Sequence, residues 1–285
     1  RVTTIPPIQS LDIVIKETSN TMVVKFSDIA KGPSDLLGDD YTTKTTLKCK
    51  KNAGPLAVTI ETDRSGSGAL SSKVGTKFTY AGLSFDKVQL KPDGSNVLET
   101  SIKPYPGLST TFKGGKGADL GFDYTTGPLR MTGSFDVKDM SKFSTSACLS
   151  AGDGIHVGGD AVYSTSAKGL SAFNVGASYA TGPLFASVTT ASKISQVNVG
   201  LSYTVNTNLT VASTSTHSSA KPLDVFTIGG KYKAGFGDVK AKFASNGSIS
   251  ACVIKEVAPK VTFTGSATAP ASDMSKLKYG IGIVM

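Results

Sequence analysis

The sequence predicts an all-β protein, a transmembrane β-barrel of about 19 strands preceded by a short helix. Three observations predict this class. Polar and apolar residues alternate in segments of about ten residues, turn residues separate these segments regularly, and no apolar stretch approaches the roughly 18 residues that a membrane-spanning helix needs. The 285 residues include Gly 31, Tyr 9 and Phe 13. A chain of this kind crosses a bilayer as strands.

The alternation predicts two different faces for each strand. In residues 119–124 the apolar positions are Leu120, Phe122 and Tyr124, and the remaining positions are Asp or Gly. One face is rich in Gly, Ser, Thr and Lys in strand after strand, as expected of a wall around water, whereas the other face suits lipid. The same period recurs in residues 129–138, 197–203 and 276–283.

Turn residues divide the chain into hairpins. Gly-Pro pairs occur at positions 54–55, 127–128 and 182–183, and Asn-Gly occurs at 246–247. Proline cannot donate to a strand ladder, so it belongs where a strand begins. Residues 41–285 span about 245 residues, and a membrane strand with its turn uses about 13, which predicts roughly 19 strands.

Three parts follow from these signals. Residues 1–25 are an N-terminal extension, in which residues 11–16 suit either an extra strand or an ordered arm. Residues 26–40 form a short helix, and residues 41–285 form the barrel.

The short helix is imperfect. Ser27 or Asp28 can cap its start. Pro33 would interrupt or kink it. Its apolar stripe consists of Ile29, Leu36 and Leu37.

The charge balance indicates an anionic solute. Lys+Arg 30 exceeds Asp+Glu 21, for a formal net charge of +9. The basic residues are spread along the chain, which favours small anions and phosphate-bearing metabolites over a nucleic acid as partner.

Cysteine and histidine placement argues against an enzyme. Cys49, Cys148 and Cys252 are odd in number and widely separated, which supports neither a disulfide framework nor a zinc site. His156 and His217 lack metal-ligand spacing. We therefore predict no catalytic residue, no metal and no cofactor.

Three segments resemble the mitochondrial porin (voltage-dependent anion channel) family. Residues 26–31, FSDIAK, resemble its N-terminal Y-x-D-L-x-K opening, and residues 121–135 resemble its hairpin around Gly-Pro. Residues 275–283 are similar to its closing K-L-G-L-G-L strand. The resemblance covers residues 26–285, and the opening and the last strand are its most specific parts.

The resemblance implies a barrel in the mitochondrial outer membrane, with its first and last strands in parallel and its helix inside the pore. It implies the same strand number, because the mitochondrial channel has 19 strands. It also implies a voltage-gated, weakly anion-selective diffusion pore. The family's helix usually carries more basic residues, but Ser34 and Asp39 stand at those positions, which leaves Lys31 as the single matched cation.

Strand parity predicts which charges line the pore. Acidic residues on the polar face are Glu61, Asp119, Asp123, Asp136 and Asp160. Basic residues are in excess, which predicts a modest preference for anions. With Lys31 on the helix, the basic pore-lining candidates are Lys48, Lys113, Arg130, Lys138, Lys231, Lys233, Lys240, Lys242, Lys276 and Lys278.

Other functions remain open at this point. A related barrel serves as the protein-import pore of the same membrane, although a more acidic lumen would be expected for basic presequences. A soluble all-β binding module would have the same alternation with inverted faces. A homo-oligomer, or a structural subunit of a larger mitochondrial assembly, would keep the barrel and change its role.

Overall fold

The computed structural model describes residues 23–66, 68–221 and 223–285. Over these ranges the chain forms one closed sheet of 19 strands. The strands are β1 (Thr45–Ala53), β2 (Leu56–Arg64), β3 (Leu70–Tyr80), β4 (Leu83–Leu90), β5 (Val97–Tyr105), β6 (Leu108–Gly114), β7 (Ala118–Thr126), β8 (Leu129–Asp136), β9 (Lys142–Gly152), β10 (Ile155–Ser164), β11 (Gly169–Thr181), β12 (Leu184–Ala191), β13 (Gln196–Thr204), β14 (Leu209–Ser218), β15 (Val225–Ala234), β16 (Gly237–Ala244), β17 (Ser248–Ala258), β18 (Val261–Pro270) and β19 (Lys278–Val284).

The barrel closes by pairing its two terminal strands. Each strand is antiparallel to its sequence neighbour, so an odd number of strands leaves β1 and β19 running in the same direction. They pair in parallel, with Thr45 opposite Ile281 and Lys48 opposite Val284. We call this pairing the seam. The predicted 19-stranded barrel and the parallel closure that the resemblance implied are both confirmed.

The register gives every strand an inner and an outer face. Glu61 on β2 lies between Lys48 and Lys73 on one face, and the adjacent Ile60 is exposed on the other. Large apolar residues remain exposed around the outside of the barrel, including Val188 and Leu201. An apolar exterior of this kind fits lipid, because a soluble sheet would bury it against a second layer.

A band of tyrosines marks one edge of the apolar exterior. We call the end of the barrel where β1 ends and β2 begins the C-terminal rim, and the opposite end the N-terminal rim. Exposed tyrosines near the ends of odd-numbered strands recur along the C-terminal rim, as in the aromatic girdles of membrane barrels. They are Tyr80, Tyr105, Tyr124, Tyr179, Tyr203 and Tyr232.

The Gly-Pro pairs lie where the sequence predicted, in two-residue turns between strands. Gly54 connects β1 to β2 with a φ of 62°, and Gly127 connects β7 to β8 with a φ of 48°. Glycine adopts a positive φ without the steric cost that a side chain brings. The proline is the second turn residue, so the next strand begins one residue later than predicted, at Leu56 and at Leu129.

The helix differs from the sequence prediction in detail. Ser27 and Asp28 lie in a single 3-10 turn, Phe26–Asp28, and cap nothing. The α-helix α1 is Lys31–Gly38, and it begins after Ala30 without a side-chain cap. Pro33 does not interrupt it, because its missing N–H falls in the first turn, where no helical partner exists.

Two further boundaries differ or lie outside the described residues. The first strand begins at Thr45, four residues later than the predicted barrel start at Tyr41. The possible strand at residues 11–16 falls outside the described residues. No helix in the described part of the chain is both long and apolar enough to span a membrane.

Adjacent residues on β2 test the assignment of the two faces. Ile60 lies mid-strand on the outer face, and Thr59 points into the lumen opposite Gly75. We expect Ile60→Lys to destabilise the bilayer-inserted barrel by about 2–4 kcal/mol, because a lysine at mid-depth faces lipid. Thr59→Lys should change stability little. Urea unfolding from liposomes measures both, and equal losses would contradict the assignment.

Candidate functional site

The lumen contains a long stretch of chain that precedes β1. Residues 23–44, here called the N-terminal segment, lie against the inner wall of the barrel. The 3-10 turn contacts β9 and β10, and α1 contacts β13, β14 and β15. The segment therefore follows the wall around part of its circumference before it enters the sheet at β1, and the predicted position of the helix inside the pore is confirmed.

The start of the segment is bound by a charged cluster. Arg130 donates from Nε and Nη2 to the two carboxylate oxygens of Asp123, at 2.9 and 2.7 Å. Lys25 Nζ lies 3.0 Å from the same carboxylate. Arg130 also donates from Nη1 to the backbone oxygen of Val23 at 3.3 Å. Asp123 thus joins a cation of the wall to a cation of the segment.

Apolar contacts support this charged cluster. Ile29 is 2% exposed and packs with Val23 against Cys148 on β9. Such burial is rare in this molecule, because the lipid-facing apolar residues have no protein layer over them. Removing these side chains from water stabilises the attached segment.

Luminal glycines let the segment approach the wall closely. A Cβ on Gly200 would lie 3.3 Å from Cγ of Pro33, and a Cβ on Gly229 would lie 2.8 Å from Cδ2 of Leu37. Any side chain at Gly229 would therefore compete with Leu37 for the same space.

The end of the segment is bound by two lysines on β16. Lys240 Nζ lies 2.7 Å from Asp40 Oδ2, with only 8% of the lysine side chain exposed. Lys242 Nζ donates to the backbone oxygen of Leu37 at 2.6 Å and lies 4.2 Å from the ring centroid of Tyr41. Leu37 is in the last turn of α1, where carbonyl groups lack helical partners and the helix dipole attracts a cation.

Tyr41 is enclosed at this anchor. Burial is the main cause that raises the pKa of its phenol, and nearby Cys252 and Asp40 raise it further. The ring therefore stays neutral and offers its face to Lys242.

Several predicted pore-lining cations are neutralised within the wall. Lys48 Nζ lies 3.0 Å from Glu61, which also pairs with Lys73. Lys231 Nζ lies 2.7 Å from Asp238 on the neighbouring strand. These pairs keep the wall hydrated while they cancel much of its charge.

Other predicted cations have no carboxylate within ion-pair distance among the described residues. Lys31 is exposed on α1, and Lys113 is exposed on the inner face of β6. Lys233 and Lys278 are exposed on the same face, near the two rims. These four side chains contribute unpaired positive charge to the lumen.

Two predicted lining residues do not lie on strands. Lys138 follows β8 in a turn, where Nζ donates to the backbone oxygen of Lys116 at 3.2 Å. Lys276 ends a second 3-10 turn, Met274–Lys276, and pairs with Asp273 at 3.2 Å. The alternation continues beyond the strand in both places, after β8 and before β19, so parity alone placed these lysines in the wall.

Sequence reasoning missed the residues of the segment that bind the wall. Asp40 and Lys25 had no predicted role, and Tyr41 was only the predicted start of the barrel. Cys148 and Cys252 were considered only for a disulfide or a zinc site. A usable signal was present, since Gly200 and Gly229 occupy positions of the polar face that other strands fill with Ser, Thr or Lys. In the described residues, no group of three His, Cys, Asp or Glu is arranged to hold a metal ion.

Comparison with known proteins gives a family match over most of the chain. The family model of the eukaryotic porins matches residues 23–282. No curated protein sequence matches. A mutant of Rh. blastica porin is 13% identical, with a TM-score of 0.48 over 75% of this chain and 88% of that chain. OmpT of Vibrio cholerae is 13% identical, with a TM-score of 0.36 over 79% of this chain and 83% of that chain.

The Lys240–Asp40 pair can be tested through the stability of α1. An isolated helix of this length is marginal in water, so α1 depends on its attachment. We expect Lys240→Gln to weaken the attachment of α1 to the wall by about 1.5 kcal/mol. Amide exchange in α1 should therefore become roughly tenfold faster. The matched control is Lys231→Gln, which breaks a pair within the wall. Equal exchange in the two variants would show that Lys240 does not hold the segment.

Proposed function

We propose that this chain, which belongs to the eukaryotic porin family, is a voltage-gated, weakly anion-selective diffusion pore for ions and small metabolites in the mitochondrial outer membrane. The family and the closed barrel make it a diffusion pore of an outer membrane. The mitochondrial location, the selectivity and the gating are the proposed parts. The mitochondrial location is supported by the N-terminal opening and closing strand described above.

The observation that carries the selectivity is the unpaired positive charge on the inner wall. Permeation through a water-filled barrel needs no chemistry, and wall charge only biases which ions enter. Lys31, Lys113, Lys233 and Lys278 attract anions, whereas the predicted lining residues Lys48, Lys231 and Lys240 pair with carboxylates. Screening over about 8 Å at physiological ionic strength keeps the preference weak.

The N-terminal segment supports the gating proposal. It lies inside the pore and is bound by charged groups at both ends. Moving one elementary charge through the membrane potential changes the energy by about 2.3 kcal/mol per 100 mV. A hydrogen bond to a charged group is worth about 1.5–3 kcal/mol. Moderate voltages therefore supply enough energy to break an anchor of this kind.

Charge reversal tests the selectivity. In a planar bilayer under a KCl gradient, we expect the reversal potential of the wild-type pore to indicate anion preference. Lys113→Glu combined with Lys233→Glu should move this potential towards zero or beyond, because each change reverses a luminal charge. Lys168→Glu, in a turn outside the lumen, is the control. Cation preference in the wild type would overturn the proposal and favour the import-pore alternative. Absence of conductance would also overturn the proposal.

A single substitution tests the gating, because one partner cysteine already exists. Ile29 and Cys148 belong to one buried cluster, so Ile29→Cys brings a second thiol into that cluster across the boundary between segment and wall. We expect the oxidised variant to stay open at voltages that close the wild type, and a reductant to restore closure. Ile29→Cys with Cys148→Ser is the control. Voltage closure that persists in the oxidised pore would show that the segment is not the gate.

A further inference from the structure

Charged side chains on the outer face of the barrel are confined to the strands around the seam. Among the described strand residues, Lys51 on β1, Arg64 on β2 and Lys255 on β17 are the Lys or Arg side chains whose register points them outward. No carboxylate of a described strand shares that face. A lysine or arginine facing lipid is costly unless its charge reaches the headgroup level, and all three lie near strand ends.

Arg64 borders a groove at the N-terminal rim. The groove has a volume of about 680 Å³, and its lining includes Arg64, Thr45, Leu277 and Tyr279. Arg64 and Thr45 are directly opposite each other across β1 and β2, and Thr45 is opposite Ile281 across the seam. No acidic residue lines the groove, and Arg64 has no ion-pair partner in the described part of the chain.

The chemistry of the groove matches a phosphate group at the membrane surface. A guanidinium presents planar, paired donors that fit phosphate oxygens, and it remains charged at any physiological pH. The Thr45 hydroxyl and the Tyr279 phenol add donors beside it. Tyr279 is 71% exposed, in the position of an interfacial aromatic residue.

The surface below the groove suits acyl chains. Ile281 and Leu47 continue the outer face along β19 and β1 towards mid-membrane. A molecule with a phosphate in the groove would lay its hydrocarbon on these side chains. A free phosphate ion would gain nothing from that surface.

The C-terminal rim of the seam is also basic. Lys51 and Lys255 occupy outward positions near the rim, where strands β3, β5, β7, β11, β13 and β15 carry the tyrosines. Between the two lysines the outer face is apolar, with Phe263 and Ile283. The seam region therefore presents cations at both edges of the apolar band.

We propose that the outer face of the seam binds anionic phospholipid, with the phosphate of the headgroup held by Arg64 in the groove. Lys51 and Lys255 provide a second, more open contact for anionic headgroups of the opposite leaflet. The groove is also lined by Lys278, whose register turns it to the inner face, so Arg64 is the cation of the groove that faces lipid.

The absence of tryptophan allows a direct test, since the chain has Trp 0. Tyr279→Trp places a single reporter in the groove of the full-length protein in liposomes. We expect brominated phosphatidylglycerol to quench this tryptophan with a relative binding constant about fivefold above that of brominated phosphatidylcholine, as one basic contact predicts. Adding Arg64→Gln should bring the ratio close to one, and inorganic phosphate should not compete.

Two controls separate a site from general surface charge. Tyr163→Trp reports on the outer face of β10 at the same rim, away from the seam, where we expect no preference for the anionic lipid. Lys193→Gln removes an exposed charge at that rim and should leave the Tyr279→Trp ratio unchanged. Equal ratios at the two reporters, or equal effects of Arg64→Gln and Lys193→Gln, would overturn the proposal. Displacement by inorganic phosphate would also overturn it, because a free anion would then be the ligand.

Discussion

The structure depends on one constraint, which is that every backbone N–H and C=O inside a bilayer must find a partner within the protein. A sheet meets this constraint only when it has no open edge. The parallel β1–β19 seam removes that edge and completes the ring. Because the strands hold their own backbone partners, the fold needs no interior core, and the inside of the barrel is free to contain water and the N-terminal segment.

The N-terminal segment is stabilised differently from the barrel. Its attachment rests on two ionic anchors, at Asp123 and Lys240, with a small apolar cluster and close contacts over luminal glycines between them. These interactions are few and partly hydrated, whereas the barrel is held by continuous ladders. Detachment of the segment therefore costs much less than unfolding of the barrel, and this difference is what a movable element inside a rigid pore requires.

Charge is distributed unevenly over the two faces. Inside, half of the predicted lining lysines on the wall and helix pair with carboxylates or bind the segment, and the unpaired half carries the proposed selectivity. Outside, Arg64 and the two lysines surround the seam, where the tyrosine band is interrupted. The outward-facing cations belong to the proposed lipid site and the inward-facing ones to the proposed ion path, and Lys278 lines the groove from the luminal side.

The periodicity of the sequence determined much of this protein. The number of strands, the two faces and the Gly-Pro turns follow from alternation and turn chemistry, which act over neighbouring residues. The same local rules placed Lys138 and Lys276 in the wall, although both lie in turns, because alternation carries no information about where pairing stops. Ser27 and Asp28 looked like helix caps for a similar reason.

Only the tertiary structure decided which lysines remain unpaired, which residues hold the segment and where cations gather on the outer face. Asp40 meets Lys240, and Asp123 meets Lys25, across long distances in the chain. Such contacts depend on the curvature and stagger of the closed barrel. Without that geometry, the alternation places all of these lysines on the same face. It cannot show which of them has a carboxylate partner.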